Sequence, residues 1–533
     1  MKLAFAPEQI SFPDLEERLT RPITIPAAIE AAAMIFRDAP AVIENGETWS
    51  FTELWARARA AAAAFLAAGL KAGETVGIWA PNCREWILAT LGAQICGARI
   101  VPLNTRYKGR EASDILRRAH AVMLCMTSKF LGTDYEALLQ DEALPGLRRR
   151  IIFGGARPGG WDHFIAGGAN IPPQAVDAAL NAVSPDGICD ILFTSGTTGA
   201  PKGVLTTHYQ VISLFHGWAK LMTLRAGDRF LIVNPFFHTF GYKAGWVSAL
   251  LRGATVVPMP VYEPAQAARL ILEQKISFLP GPPTIYQTLL AEKAQNGLDL
   301  SSLRVAVTGA AVVPPVLIER MHGELGIETI FSGYGMTECG VIAMTREGDP
   351  VETVAGSCGS AVPGIEIKCV DDKGNTLPAG VAGEILVRGY GVMRGYLDDP
   401  AATEEAIDKD GWLHTGDIGT LDERHYLRIT DRKKDMFITG GFNCYPAEIE
   451  KILCEHPKVE MAAVISIPDE RLGEVGKAFL VLRPGQQAGA AEIIAWAREN
   501  MANFKVPRSV EFRTELPRNA AGKVMRVELR NHK

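Results

Sequence analysis

Short apolar runs alternate with longer amphipathic stretches along most of this chain. Residues 75–79, 99–102, 187–194, 229–233, 254–257, 277–280 and 304–308 are such runs, and each has a helical stretch nearby, as from about residue 83. The alternation predicts βαβ units and a parallel sheet. Residues 41–51 predict a β-hairpin with Asn45-Gly46 at its tip. Thr52 is expected to cap a helix reaching about Ala68, closed by Gly69. From about residue 355 the texture changes to shorter β-like runs with glycine turns, among them Gly383-Glu384-Ile385-Leu386-Val387-Arg388-Gly389, which predicts a small β-barrel or β-subdomain. The charged run Asp431-Arg432-Lys433-Lys434-Asp435 precedes a separate α+β pattern: helix 446–456, strands 461–466 and 477–482, helix 490–500, strand 509–513. The expected fold class is therefore α/β. A large N-terminal domain, residues 1–431, holds two βα-type sheet subdomains and the small β-barrel, and an α+β C-terminal domain follows over 432–533.

Composition narrows the class further. The chain has 533 residues, 47% of them hydrophobic and 22% charged, which is a soluble globular composition. A net charge of −5 argues against nucleic acid as the main partner. The nine cysteines are scattered, odd in number and without a Cys-x-x-Cys pair, so they read as reduced thiols in a cytoplasmic protein. Cys339 is expected to be a packing residue. Residues 1–22 carry Glu8, Asp14, Glu16 and Glu17 with no long apolar core, unlike a signal peptide. The alanine-rich stretch 56–68 is broken by Arg57 and Arg59 and is too short to span a bilayer.

The densest chemistry lies at Thr194-Ser195-Gly196-Thr197-Thr198-Gly199-Ala200-Pro201-Lys202-Gly203, directly after the apolar run Ile191-Leu192-Phe193. Backbone N–H groups, hydroxyls and one cation on a glycine loop suit a polyphosphate. Lys202 is followed by Gly203 and not by Ser or Thr, so this is not a Walker A loop. Three further segments complement it. In Ser332-Gly333-Tyr334-Gly335-Met336-Thr337-Glu338, glycines flank a ring that a nucleobase could lie against, and Glu338 is a hard oxygen ligand suited to Mg²⁺ on phosphates. In Gly411-Trp412-Leu413-His414-Thr415-Gly416-Asp417, a carboxylate between small residues suits the hydroxyls of a ribose. In Leu516-Pro517-Arg518-Asn519-Ala520-Ala521-Gly522-Lys523, a lysine after a flexible loop could swing into a site built by another domain. Taken singly, a tight turn, a common Gly/Asp turn and a solvated terminal lysine explain these three segments as well.

Together, and in this order, the segments resemble the adenylate-forming superfamily of acyl-CoA synthetases, peptide-synthetase adenylation domains and beetle luciferases, over nearly the whole chain. The resemblance implies that Thr337 and the Thr194–Lys202 loop contact the phosphates of ATP and that Glu338 binds Mg²⁺. It implies that Asp417 and Arg432 hold the ribose, and that Tyr334, with Gly333, Gly335 and the Gly309-Ala310-Ala311 run, lines the adenine. Lys434 falls at the family's hinge, Gly440 and Gly441 fall in the loop after it, and Lys523 is the catalytic lysine of a mobile C-terminal domain. The implied reaction joins a carboxylic acid to AMP with loss of pyrophosphate. Coenzyme A thiol then displaces AMP.

The acid is less legible. Phe236-Phe237-His238-Thr239-Phe240-Gly241 falls where the family builds its acyl pocket, so His238 and Phe240 are candidate substrate contacts. His238 reads equally well as a hydrogen-bonded core histidine. No Asp lies between Phe236 and Val247 to pair an amino acid's ammonium, which favours an apolar acid. Ile438 stands where luciferase-type oxidation requires lysine, and no carrier-protein domain is expected after residue 533. The stretch Asn104-Thr105-Arg106-Tyr107-Lys108-Gly109-Arg110-Glu111-Ala112 is similar to that of ligases acting on the propanoate side chain of degraded steroid rings. Medium-chain fatty acids, aryl acids and an acceptor other than coenzyme A stay open, as does oligomeric state, a homodimer included. Two other classes compete: a non-catalytic nucleotide-binding protein, which has no need of Lys523 and Glu338, and a phosphotransferase, which releases ADP.

Overall fold

The computed structural model describes residues 12–19, 21–155, 158–194, 201–309, 313–432, 435, 437–439, 442–444, 446–469, 472–501, 503–518 and 524–531. The apolar runs become two largely parallel sheets. The larger has nine strands in the order Ser360–Ala361, Gly340–Met344, Thr329–Met336, Val305–Gly309, Phe278–Pro280, Arg229–Ile232, Thr255–Pro258, Pro40–Glu44, Glu47–Ser50. Its interior is parallel and both ends are antiparallel. The second has seven, ordered Gly395–Tyr396, Lys202–Thr207, Ile188–Thr194, Arg99–Pro102, Thr75–Trp79, Ala121–Met126, Arg149–Ile152. Near-continuous apolar strands of this kind fit sheets covered on both faces. One continuous core joins the two sheets and includes the buried rings of Trp86, Phe236, Tyr242 and Trp246.

Local chemistry explains most boundaries. Asn45 and Gly46 take positive φ at the hairpin tip, as a tight antiparallel turn requires. The helix Phe51–Ala67 is capped by Ser50, not by Thr52 as its sequence suggests: Ser50 and Glu53 form a reciprocal capping box. The small β-unit after residue 355 is a four-stranded antiparallel half-barrel sheet, in the order Ile365–Val370, Gly383–Gly389, Leu413–Leu421, Leu427–Arg432. The charged run at 431–435 is not all loop, since Asp431 and Arg432 continue that last strand. Beyond it a separate sheet of Phe437–Thr439, Phe442–Cys444, Gly473–Leu482, Val459–Asp469 and Ser509–Phe512 packs on the helices Pro446–Cys454 and Ala490–Asn500 through Ile449, Leu453, Leu480 and Ile493.

All nine cysteines are free, and burial pushes each thiol above its ordinary value, Cys339 to about 12. The expectation that Cys339 packs in the core is met. No helix among the described residues is long and apolar enough to cross a membrane.

One buried histidine gives the N-terminal body an acid-sensitive point. His208 Nδ1 accepts from the Ile25 amide at 3.3 Å, and burial pushes its imidazole down to about 3. Below its ordinary value of 6.5 the unfolded chain takes up a proton that the folded chain refuses. Stability is therefore expected to fall as pH drops from 6.5 toward 3, at up to about 1.4 kcal/mol per unit. Urea midpoints measured at pH 7 and pH 5 check this, and His208→Asn should flatten the slope. His216, pushed down to about 4, adds to it in the same direction.

Candidate active site

Candidate residues collect at the carboxyl ends of the parallel strands, where open α/β sheets bind ligands. Thr194 ends Ile188–Thr194, Gly309 ends Val305–Gly309, and Tyr334 lies near the end of Thr329–Met336. His238 follows Arg229–Ile232. Thr194 and Lys202 are cross-strand partners, so the glycine-threonine loop joins two antiparallel strands rather than leading into a helix. The Thr194 hydroxyl lies 3.4 Å from the Lys202 carbonyl.

The adenine candidates are adjacent. Gly309 pairs with Gly333, and a Cβ on Gly309 would lie 2.9 Å from the Gly333 carbonyl oxygen. Gly335 is equally constrained, because its Cβ would meet the Gly340 carbonyl at 2.1 Å. These glycines thus serve close strand packing around Tyr334 as well as any ring laid beside it. The Tyr334 hydroxyl donates to Asp417 Oδ2, and Asp417 is buried at 5% exposure. Asp417 in turn is the cross-strand partner of Arg432, so the two ribose candidates sit on neighbouring strands. Thr337 and Glu338 occupy the turn between Thr329–Met336 and Gly340–Met344. Ser195, Gly196, Thr197, Thr198, Gly199, Ala310, Ala311, Lys434, Gly440, Gly441 and Lys523 lie outside the described residues, as does the side chain of Arg432.

His238 is not a core histidine. It is solvent-exposed, and desolvation by the surrounding protein pushes its imidazole below the ordinary value. Its Nδ1 accepts from the Phe240 amide at 3.4 Å. Gly241 follows because a Cβ there would lie 2.3 Å from the carbonyl oxygens of both Asn234 and Pro235. The chain then runs into a helical turn, Tyr242–Val247, kinked at Gly245, whose φ −88° and ψ −107° are not helical.

Four residues carry no role in the sequence motifs. Asn82, buried at 2% exposure, places its amide nitrogen 2.9–3.2 Å from the carbonyls of Ile232, Asn234 and Met259 and accepts from the Phe236 amide at 2.7 Å. It thereby ties down the loop that carries His238. No local signal marks it. Lys243 and Asp190 form a buried ion pair at 2.9 Å, with the Thr206 hydroxyl 3.1 Å from the ammonium. Opposite charges inside two otherwise apolar runs were the available signal. Tyr396 donates to Glu338 Oε1 at 3.0 Å, and the Lys202 ammonium lies 4.9 Å from its ring centroid. Burial, with Glu338 beside it, pushes the phenol well above its ordinary value, which keeps it a donor at neutral pH.

Comparison with known proteins decides the family. Residues 29–397 match the model of the AMP-binding enzyme, and residues 448–523 match that of the AMP-binding enzyme C-terminal domain. The chain belongs to the AMP-binding enzyme family. This AMP-binding enzyme is 46% identical over 521 residues to a 3-[(3aS,4S,7aS)-7a-methyl-1,5-dioxo-octahydro-1H-inden-4-yl]propanoyl:CoA ligase of Rhodococcus jostii, covering 96% of this chain and 99% of that one. It is 50% identical over 509 residues to the ligase of the same name from Mycobacterium tuberculosis, covering 95% and 98%. Among solved structures it resembles the anthranilate CoA ligase AuaEII in complex with anthranoyl-AMP, with a TM-score of 0.85 at 29% identity over 95% of this chain and 96% of that chain.

Proposed function

We propose that this AMP-binding enzyme is an AMP-forming acid:CoA ligase acting in the cytoplasm on a fused-ring, steroid-derived propanoate. The observation that carries the choice of acid is near-complete coverage by two relatives, 46% and 50% identical, that share that substrate name. The exposed His238, flanked in sequence by Phe237 and Phe240, suits an apolar acid, and residues 236–247 contain no carboxylate for an ammonium.

In the first half-reaction a carboxylate oxygen attacks the α-phosphorus of ATP and pyrophosphate leaves. In the second the coenzyme A thiol attacks the acyl carbonyl and AMP leaves. No side-chain nucleophile is needed, so positioning and charge stabilisation carry the rate. Thr194 to Lys202 cradle the phosphates, Gly309, Ala310, Ala311, Gly333, Tyr334 and Gly335 line the base, and Asp417 with Arg432 holds the ribose. Thr337 and Lys523 meet the reacting phosphate. Among the described residues no three His, Cys, Asp or Glu side chains converge on one point. Glu338, a hard oxygen donor, fits a Mg²⁺ ion held by one carboxylate and the phosphates. When bound, that ion offsets polyphosphate charge. Residues 432–533 act as a mobile unit turning near Lys434, which in sequence follows the strand Leu427–Arg432 and precedes Phe437–Thr439.

The test is a pyrophosphate-release screen over fatty, aryl and steroid-derived acids, with and without coenzyme A. Fused-ring propanoates should give the highest kcat/KM, with AMP as the nucleotide product. ADP as product, or a preference for a linear or aryl acid, overturns the respective half of the proposal. Asp417→Ala is expected to raise the KM for ATP by about 10- to 100-fold with a smaller change in kcat, the loss of charged hydrogen bonds. Initial rates against ATP concentration measure it.

A further inference from the structure

Tyr396 belongs to no segment discussed for nucleotide chemistry, yet it touches two residues that do. It ends Gly395–Tyr396, a two-residue strand laid antiparallel on Lys202–Thr207, with Val204 opposite Tyr396 and Leu205 opposite Gly395. Its backbone is fixed from several sides. The Tyr396 amide donates to Thr403 Oγ1 at 2.9 Å, the Leu397 amide to the Gly203 carbonyl at 2.7 Å, and the Arg394 amide to the Leu205 carbonyl at 3.0 Å. Gly395 takes φ +141°, and a Cβ there would crowd the Thr403 side chain at 2.9 Å. Upstream, the Met393 amide donates to the Glu338 carbonyl at 2.8 Å, and the Gln210 amide group holds the carbonyls of Tyr390 and Val392. This clamping aims one ring at the meeting point of the phosphate-loop lysine and the acidic turn.

The contacts have opposite electrostatic character. The hydroxyl donates to the Glu338 carboxylate at 3.0 Å, and the ring carries the Lys202 ammonium at 4.9 Å. A carboxylate and an ammonium this close to one neutral group would otherwise attract each other into a direct ion pair. Such a pair would occupy the carboxylate oxygens that a hard cation needs and neutralise the charge that an anionic phosphate needs. A phenol satisfies each group without neutralising either. We propose that Tyr396 is a positioning residue that keeps Glu338 and Lys202 separately aimed for a magnesium-bound polyphosphate. This rests on the reading of the chain as an ATP-dependent ligase.

The test is calorimetric titration of ATP into the intact protein without any acid, once with excess Mg²⁺ and once with EDTA. Tyr396→Phe keeps the ring under Lys202 and loses only the donor to Glu338. It should weaken ATP binding about tenfold in Mg²⁺ and by a clearly smaller factor in EDTA, where only the charge on Lys202 is at stake. Tyr396→Leu removes both contacts and should weaken binding in both media. In a Glu338→Gln background, Tyr396→Phe should add little, since the two residues act through one contact. Wild-type affinity for Tyr396→Phe in both media overturns the proposal, as does an equal loss in both, which marks a packing role only. Circular dichroism and thermal melting of each variant identify misfolding, and a Tyr396→Phe protein that melts early with an unchanged Mg²⁺ dependence also counts against it. If the wild type itself binds no ATP and exchanges no pyrophosphate with any acid, the ligase reading fails independently of Tyr396.

Discussion

Lys523→Ala is expected to lower acid-dependent exchange of labelled pyrophosphate into ATP by about a thousandfold, the scale of losing a charged group aimed at a developing anion. Two negative reactants meet in the first half-reaction, and Lys523 is the cation proposed to lie between them. Once the acyl-adenylate exists, that repulsion is over. Coenzyme A transfer from supplied acyl-adenylate should therefore stay within a fewfold of wild type. A comparable loss in both half-reactions would show that the lysine serves the fold or both conformations. Gly441→Leu should give the reverse pattern, with the thioester step blocked and exchange retained. Single-turnover measurement of each step separates the two variants.

The second large effect is on stability. Removing one partner of the Lys243–Asp190 pair leaves an uncompensated charge among fully buried neighbours, at 2.9 Å from where its partner stood. Lys243→Met or Asp190→Asn is expected to cost about 3–5 kcal/mol, read from urea unfolding of the full chain. The double variant Lys243→Met with Asp190→Asn should cost clearly less than the two single changes added together, because neither charge is left alone. The pair links Ile188–Thr194 of the seven-stranded sheet to the kinked turn Tyr242–Val247. A partial loss of this tether should also raise the KM for the acid, since the candidate acid-contact segment His238–Phe240 leads directly into that turn. A single variant that loses under about 1 kcal/mol would show that water reaches the site.

What the sequence disclosed follows a physical division. Buried parallel strands need unbroken apolar runs, so 75–79 and 99–102 could be read to the residue. The helix start at Phe51 was missed by two positions because Ser50 and Thr52 are both competent caps, and only Ser50 has Glu53 three residues on. The candidate site was legible as separate segments, since loops that hold phosphates need glycines and hydroxyls close together in sequence. Its cross-links were not. Tyr334 reaches Asp417 across 83 positions and Tyr396 reaches Glu338 across 58, and the sheet topology that brings them together leaves no local trace. Asn82 was invisible for the same reason, because its four partners belong to other strands and loops.

The sequestered sulfur has a practical side. Six thiols are buried and three half-buried, and burial favours the protonated, less nucleophilic form of every one. A colorimetric disulfide dye added to a turnover mixture therefore counts the cosubstrate's sulfhydryl and not the catalyst's. The same dye develops colour when the polypeptide opens, so the protein carries its own denaturation indicator.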